Sequence, residues 1–200
     1  MTGKSASQRS TLFTSIALIT WLIVSPARAQ SSGRAWTVST GDVRITCPMT
    51  VGGSFEAKSS ALTGGLSVDP ESAILTGELS VDLKTLDTGI SLRNQHMLEN
   101  YLEIGKGDGF DKATLTNVDV GSMASGVEGQ KTFTARLRLH GVTQAVSGRA
   151  TVSSRASSVR VDASFPLRIS DYNIADPRYL GVGVKNDVTV KVLFTATPGR

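Results

Sequence analysis

Apolar and polar residues alternate with a period of two along most of this chain. In the run from Val159 to Ile169, apolar residues occupy every second position, and Arg160 and Asp162 stand between them. Such alternation is typical of antiparallel strands that have one buried and one solvated face. Together with Gly-, Pro- and Ser-rich turns between the runs, the pattern predicts eight to ten strands. The predicted strands cover about residues 36–40, 42–50, 53–58, 60–68, 75–83, 113–121, 133–140, 143–153, 159–169 and 188–196.

Residues 86–102 form the one stretch with a helical pattern, LDTGISLRNQHMLENYL. Ser91 is placed to cap the first free amides of a helix. Met97, Leu98 and Tyr101 then gather on one side by their three- and four-residue spacings. We expect one amphipathic helix that lies across a mouth of the sheet and turns these apolar side chains inward.

Long strands with one apolar face, and no second helix to cover them, must pack on another sheet or close on themselves. We therefore predict an all-β fold, an antiparallel eight-stranded β-barrel with one short helix at its mouth. The interior of such a barrel is just wide enough to be filled by side chains or to hold one ligand. The inward positions are mostly Val, Ala and Leu, which favours a cavity, but the pattern leaves both interiors open.

The N-terminus reads as a targeting segment. A basic start is followed by an apolar run over residues 12–24 and by the small–x–small sequence Ala27-Arg28-Ala29. These are the parts of a secretory signal peptide. We predict a signal peptide over residues 1–29 that is cleaved near Ala29, and a single domain over residues 30–200 that works in the periplasm.

The charge balance changes when the predicted signal peptide is removed. Without Lys4, Arg9 and Arg28, 18 basic residues remain against 17 acidic ones. The mature chain also has no basic block interleaved with aromatic residues, which nucleic-acid binding would favour. We expect no nucleic-acid partner.

Cys47 is the single cysteine, so the chain has no internal disulfide. It shares one face of a predicted strand with Val43, Ile45 and Met49. This pattern favours a buried small hydrophobe, with a catalytic or intermolecular role as the alternative.

Candidate chemistry is sparse. The two histidines, His96 and His140, lie far apart in the sequence, and no G-x-S-x-G motif is present. A nucleophilic triad needs a nucleophile, a base and an orienting group, and a metal needs three or four converging ligands. We therefore expect neither an enzyme nor a metal site. His140 is expected to bond a turn, while His96, beside Arg93, either meets a polar ligand head or stabilises the helix. A second rim of the mouth is predicted from a loop that carries Tyr172, Arg178 and Tyr179.

Three segments carry a resemblance to a known family. They are VDLKTLDTGISLRNQHML, KTFTARLRLHGVTQAVSGRATV, and FPLRISDYNI with the closing KNDVTVKVLFTAT. Their order and spacing resemble the YceI-like family of exported lipid-binding proteins across about residues 36–196. One departure is that the family usually has Asp after its helix arginine, where this chain has Asn94.

The resemblance implies a lipocalin-like barrel that holds a long isoprenoid or other amphiphilic chain in an apolar tunnel. Arg93 and His96 match the family's polar pair on the helix, which implies a place at the ligand's head group or a role in holding the helix. The residues expected to contact the ligand are Phe55, Leu79, Val81, Arg93, His96, Met97, Leu98, Tyr101, Phe133, Leu137, Phe165, Leu167, Val190 and Phe194.

The leading hypothesis is a periplasmic carrier of a long apolar lipid, an isoprenoid, a quinone or a fatty amphiphile. No catalytic residue and no cofactor are expected, apart from a bound polyisoprenoid or quinone lipid. One alternative is a packed barrel without cargo that serves interaction or stress response, and another is a small enzyme that uses His96 and Arg93. Transient contact with a membrane or a membrane redox protein, and a homodimer, also stay open.

Overall fold

The computed structural model describes residues 34–68, 74–121, 128–179 and 181–199, and the predicted signal peptide lies outside them. No helix in these ranges has the length and apolar character needed to cross a membrane. The strands in chain order are β1 (Arg34–Val38), β2 (Gly41–Pro48), β3 (Ser54–Ser59), β4 (Leu62–Val68), β5 (Ile74–Asp82), β6 (Lys112–Asp119), β7 (Gly129–Leu139), β8 (Val142–Arg155), β9 (Ser158–Arg168), β10 (Arg178–Tyr179), β11 (Val182–Gly183) and β12 (Asp187–Pro198).

Eight strands close into a ring in the order β1–β4–β5–β6–β7–β8–β9–β12. Neighbours pair antiparallel, and β12 returns to β1, with Trp36 opposite Pro198 and Thr37 opposite Thr197. The pairing of β12 with β1 removes the two free edges that an open sheet of these eight strands would present. The predicted antiparallel eight-stranded β-barrel with one short helix is confirmed.

Two of the barrel's strands are interrupted near their middle. The first part of β12 pairs with β2 and its end pairs with β1, so β1 and β2 lie in line along one edge of β12. On the other side, β4 pairs with β1 and β3 pairs with β2, so β3 and β4 also lie in line. At the two breaks, the Thr40 hydroxyl donates to the Ser60 carbonyl at 3.0 Å, and the Ser60 hydroxyl donates to Asp42 at 2.7 Å. Ten sequence runs therefore build eight barrel strands.

The chain between β5 and β6 forms a helical segment, residues 83–106, called the mouth segment below. The predicted cap is wrong, because Ser91 is the first helical residue and the preceding Ile90 makes no side-chain cap bond. The segment consists of a 3₁₀ turn (Leu83–Thr85), the helix α1 (Ser91–Gln95), a π-helical turn (His96–Tyr101) and a second 3₁₀ turn (Ile104–Lys106).

Side chains fill the half of the barrel that is remote from the mouth segment. Phe133 and Phe165 meet edge to face there, with ring centroids 6.1 Å apart. Gly148 makes this packing possible, because a Cβ at that position would lie 2.7 Å from the Cβ of Phe165 and 3.0 Å from the Phe133 ring. Val38 and Phe194 are also buried in the core. The interior is thus packed at one end, and the space inside the barrel lies at the other.

Candidate functional site

A cavity of about 600 Å³ occupies the half of the barrel next to the mouth segment. Its walls are the inward apolar residues of most barrel strands, among them Val43, Leu79, Leu137 and Val190. The volume lies in the range of about 300–1,000 Å³ that is usual for small-molecule sites. At roughly 30 Å³ for each group of water size, it holds about 20 methylene or methyl groups.

Three segments joined by hydrogen bonds surround the mouth of the cavity. The Tyr101 hydroxyl, in the π-helical turn, donates to the Arg178 carbonyl at 3.0 Å and accepts from the Arg178 N–H at 2.9 Å. The Thr50 N–H, in the turn between β2 and β3, donates to the Gly183 carbonyl at 2.8 Å, and the Thr50 hydroxyl accepts from the Gly183 N–H at 3.0 Å. The β10–β11 hairpin therefore connects the mouth segment with the β2–β3 turn.

The polar groups at the mouth include Arg93 and His96, the pair that the family resemblance identified on the helix; contact of either residue with a ligand head group stays a prediction. Both line the cavity. The Arg93 guanidinium lies over the Phe55 ring, 4.2 Å from its centroid. Such a cation–π contact stabilises an arginine while it leaves the N–H edge of the guanidinium available. Arg93 and Phe55 thus join α1 to β3 and place one positive charge at the opening.

Asn94 holds the start of the mouth segment in place. Its side-chain oxygen accepts from the Thr88 N–H at 2.8 Å and from the Thr88 hydroxyl at 2.7 Å, and its Nδ2 donates to Asp87 at 2.7 Å. The Asn94 bond is the main reason that the pKa of Asp87 is lowered, with the Gly89 N–H as the next contribution. The backbones of Asp87 and Lys58 exchange two N–H to carbonyl hydrogen bonds, each of 2.8 Å. This network fastens the segment to the edge of β3.

The far end of the mouth segment is held by His140. Its ring nitrogens lie 2.9 Å from the Tyr172 carbonyl oxygen and 2.9 Å from the Glu103 carboxylate. Lys106 adds an ion pair to Glu103 at 2.7 Å, and this contact is the main cause that lowers the pKa of Glu103. His140 is buried at the β7–β8 turn and packs edge to face with Phe110. The contacts place His140 in a structural position, away from the cavity.

Eleven of the fourteen residues proposed as ligand contacts line the cavity, and three do not. Phe133 and Phe194 point inward but lie in the packed half of the barrel, behind Phe165. Alternation identifies inward side chains, but it does not say how deep the empty space reaches. The eleven are Phe55, Leu79, Val81, Arg93, His96, Met97, Tyr101, Leu137, Phe165, Leu167 and Val190; their contact with a ligand stays a prediction.

Leu98 is outside the cavity lining because of the π-helical turn. The expectation that Met97, Leu98 and Tyr101 share a face assumed 3.6 residues per turn. Instead the Leu102 N–H donates to the Met97 carbonyl at 2.9 Å, an i to i+5 bond that widens the turn. Met97, Tyr101 and Leu102 consequently line the cavity together.

Part of the cavity wall consists of residues that are absent from the predicted ligand contacts. β2 contributes Val43, Ile45 and Cys47 to the cavity wall, and Met49 follows directly after the strand. Their alternation was visible and would have identified them. Burial raises the pKa of the Cys47 thiol to about 11, which disfavours the reactive thiolate.

Of the residues predicted to form a second rim of the mouth, one lines the cavity. Arg178 lines the cavity, whereas Tyr172 is buried in the core, 2% exposed, and does not line it. The side chain of Tyr179 lies outside what the structure describes. Val182 and Gly183 of β11 complete this rim. In the described ranges, no group of three or more His, Cys, Asp and Glu side chains is arranged to hold a metal ion.

Comparison with known proteins places this barrel in a family. A family model described as a YceI-like domain matches residues 32–196. The chain belongs to the YceI-like family. The resemblance carried by the mouth segment and the β7–β8 hairpin is thereby confirmed. No curated protein matches the chain.

Solved structures share the YceI-like fold at low sequence identity. A polyisoprenoid binding domain from Saccharophagus degradans, implicated in plant cell wall breakdown, is 18% identical with a TM-score of 0.63, and the match covers 84% of this chain and 99% of that one. BcnA of Burkholderia cenocepacia is 16% identical with a TM-score of 0.62, over 78% and 96% of the two chains. The YCEI protein of Campylobacter jejuni is 14% identical with a TM-score of 0.52, over 70% and 81%. At such identities these structures support the fold alone.

Proposed function

We propose that this protein binds a long apolar lipid, an isoprenoid, a quinone or a fatty amphiphile, inside the barrel and carries it in the periplasm. The observation that carries the proposal is the cavity of about 600 Å³, which is apolar along its walls and opens beside the mouth segment. Membership of the YceI-like family and the fold shared with a polyisoprenoid binding domain support the same ligand class. The N-terminal sequence pattern of a signal peptide supports the periplasmic location.

Burial of the apolar chain supplies the binding energy. About 20 buried groups at about 0.8 kcal/mol each give a gross gain of roughly 16 kcal/mol. Loss of translational and rotational freedom costs about 4–15 kcal/mol, and ordering of a flexible chain adds to this cost. The remainder is several kcal/mol in the favourable case. Such a balance suits a carrier, which must both hold and release its cargo.

The direct test is organic extraction of native protein purified from the periplasmic fraction of its own host, followed by mass spectrometry. We expect one lipid per protein chain. The variant Ala113→Trp places a large ring in the cavity wall, and we expect it to lose the lipid. Ala145→Trp is the matched control, because Ala145 is exposed on β8. Empty extracts from folded wild type, or equal lipid in both variants, would contradict cavity binding.

The surface around the mouth supports exchange of the lipid at a membrane. Among the described residues, the exposed large apolar side chains are Val51, Ile74, Ile90, Leu92 and Val182, and Val51 is 68% exposed. Ile90, Leu92 and Val182 line the mouth itself. Val51 lies in the turn whose Thr50 bonds Gly183. An apolar rim around an apolar cavity suits contact with a lipid surface, where cargo passes with little exposure to water.

Lipid transfer between vesicles tests this contact. With collisional exchange, the transfer rate rises with acceptor vesicle concentration, and we expect Leu92→Ser to slow it. Ile74→Ser is the control, since Ile74 is 45% exposed at the end of β5 remote from the mouth. Equal rates for the two variants would argue against docking through the rim.

The observations favour binding over the two alternatives. A packed interaction module without cargo would have a filled interior throughout, whereas here one half holds the cavity. For an enzyme, Arg93 and His96 do reach the cavity. However, none of the described residues that line it is a carboxylate that would orient a histidine base.

A further inference from the structure

The charge of the cavity lining has one sign. Two arginines, Arg93 and Arg178, and one histidine, His96, reach the cavity, and the described residues that line it include neither Asp nor Glu. The rest of the wall is almost entirely apolar. A positive group at the end of an apolar cavity is a costly arrangement unless an opposite charge or strong acceptors meet it.

Arg93 is the more buried of the two arginines. Its side chain is half-buried on α1, and its guanidinium lies 4.2 Å from the centroid of the Phe55 ring. Within the described ranges, no carboxylate forms an ion pair with it. The ring contact holds the guanidinium plane, so that N–H donors are positioned before a ligand arrives. A planar, charged donor group of this kind suits the oxygen atoms of a carboxylate or a phosphate.

Arg178 provides a second positive charge at the same opening. It is exposed, and its guanidinium is 3.6 Å from Asp176, a loose surface pair that is easily exchanged. Its backbone N–H and carbonyl are both held by the Tyr101 hydroxyl, at 2.9 and 3.0 Å. The two arginines are therefore placed on connected parts of the rim, one on the mouth segment and one on the β10–β11 hairpin.

We propose that the cavity selects an anionic amphiphile, whose carboxylate or phosphate head group pairs with Arg93 while its chain lies in the barrel. This inference rests on the proposed lipid-binding function, since both use the same cavity. It goes further, because it distinguishes acidic lipids from neutral quinones, alcohols and esters of equal chain length.

Matched pairs of ligands test the charge preference in delipidated protein. Palmitate is compared with hexadecanol, and geranylgeranyl phosphate with geranylgeraniol, by titration calorimetry at neutral pH. We expect the anionic member of at least one pair to bind about tenfold more tightly or better, a ratio equivalent to about 1.4 kcal/mol. The pair with the larger ratio tells whether the head group is a carboxylate or a phosphate.

Two variants test whether Arg93 causes the preference for anionic ligands. Arg93→Gln should bring the anionic ligand down to the affinity of the alcohol, while the alcohol itself binds as before. Arg44→Gln removes the same charge from an exposed position on β2 and should leave the ratio unchanged.

The outcomes separate the two proposals. Equal affinities within both pairs, or an unchanged ratio in Arg93→Gln, would overturn the anionic head group while lipid binding stands. Failure of all four ligands to bind would overturn the lipid-binding function and, with it, this inference.

Discussion

Phe165 forms the floor of the cavity and should set the length of the chain it accepts. Its ring lines the cavity on one side and meets Phe133 on the other, at 6.1 Å between centroids. Phe165→Ala removes six ring carbons, about the size of one five-carbon isoprene unit. We expect the preferred chain to grow by about five carbons, from a capacity of about 20. The longest ligands should gain up to roughly 4 kcal/mol, at about 0.8 kcal/mol for each methylene.

Phe133→Ala is the control, because Phe133 is buried just behind the floor and does not border the cavity. Both variants should lose about 3–5 kcal/mol of unfolding free energy, which a domain with about 5–15 kcal/mol tolerates at low temperature. Binding of a homologous series of fatty acids or prenyl alcohols measures the preferred length. An unchanged preference in Phe165→Ala, or an equal shift in Phe133→Ala, would refute the position of the floor.

Two further changes test the packing and the mouth segment. Gly148→Ala places a Cβ within contact of the Ser164 carbonyl and should lower the melting temperature by several degrees, whereas Gly105→Ala, with open space around it, should have little effect. Equal melting temperatures would contradict the close approach at Gly148. Asn94→Ala should destabilise the protein at neutral pH and less so in acid. The Asn94 hydrogen bond is the main cause that lowers the pKa of Asp87 in the folded protein. Its contribution to the free energy of unfolding is therefore fully present above about pH 4 and is lost as the pH falls through the lowered pKa. A destabilisation that is the same at pH 7 and pH 3, measured by thermal denaturation, would contradict this assignment.

The strands could be predicted from the sequence because they rest on local alternation. Closure of the sheet was predicted on another ground, since no second helix was available to cover the apolar faces of the long strands. The depth of the cavity could not be predicted. Phe133 and Phe165 both occupy inward positions of alternating strands, and only the fold shows that Phe165 borders the cavity while Phe133 packs behind it. Leu98 was misplaced for a different reason. A helical period of 3.6 gives no sign of the wide turn that begins at His96.

The rim of the site shows the same limit. The β10–β11 hairpin has two residues in each strand, too few for a periodic signal. Arg178 could be identified as a rim residue from its loop, but its connection to Tyr101 spans 77 positions and needed the fold. Long-range pairing of this kind is fixed by topology, which single-sequence patterns do not encode.

The edge of β3 has a consequence for how the protein behaves in concentrated solution. β3 pairs with β2 on one side, and in the described ranges its other edge has one backbone bridge, between Lys58 and Asp87. Uncovered strand edges recruit strands from other molecules, and charged side chains such as Glu56 and Lys58 oppose this. Movement of the mouth segment away from β3 would therefore expose this edge and promote self-association. The contacts that hold the mouth segment against β3 thus also act against aggregation.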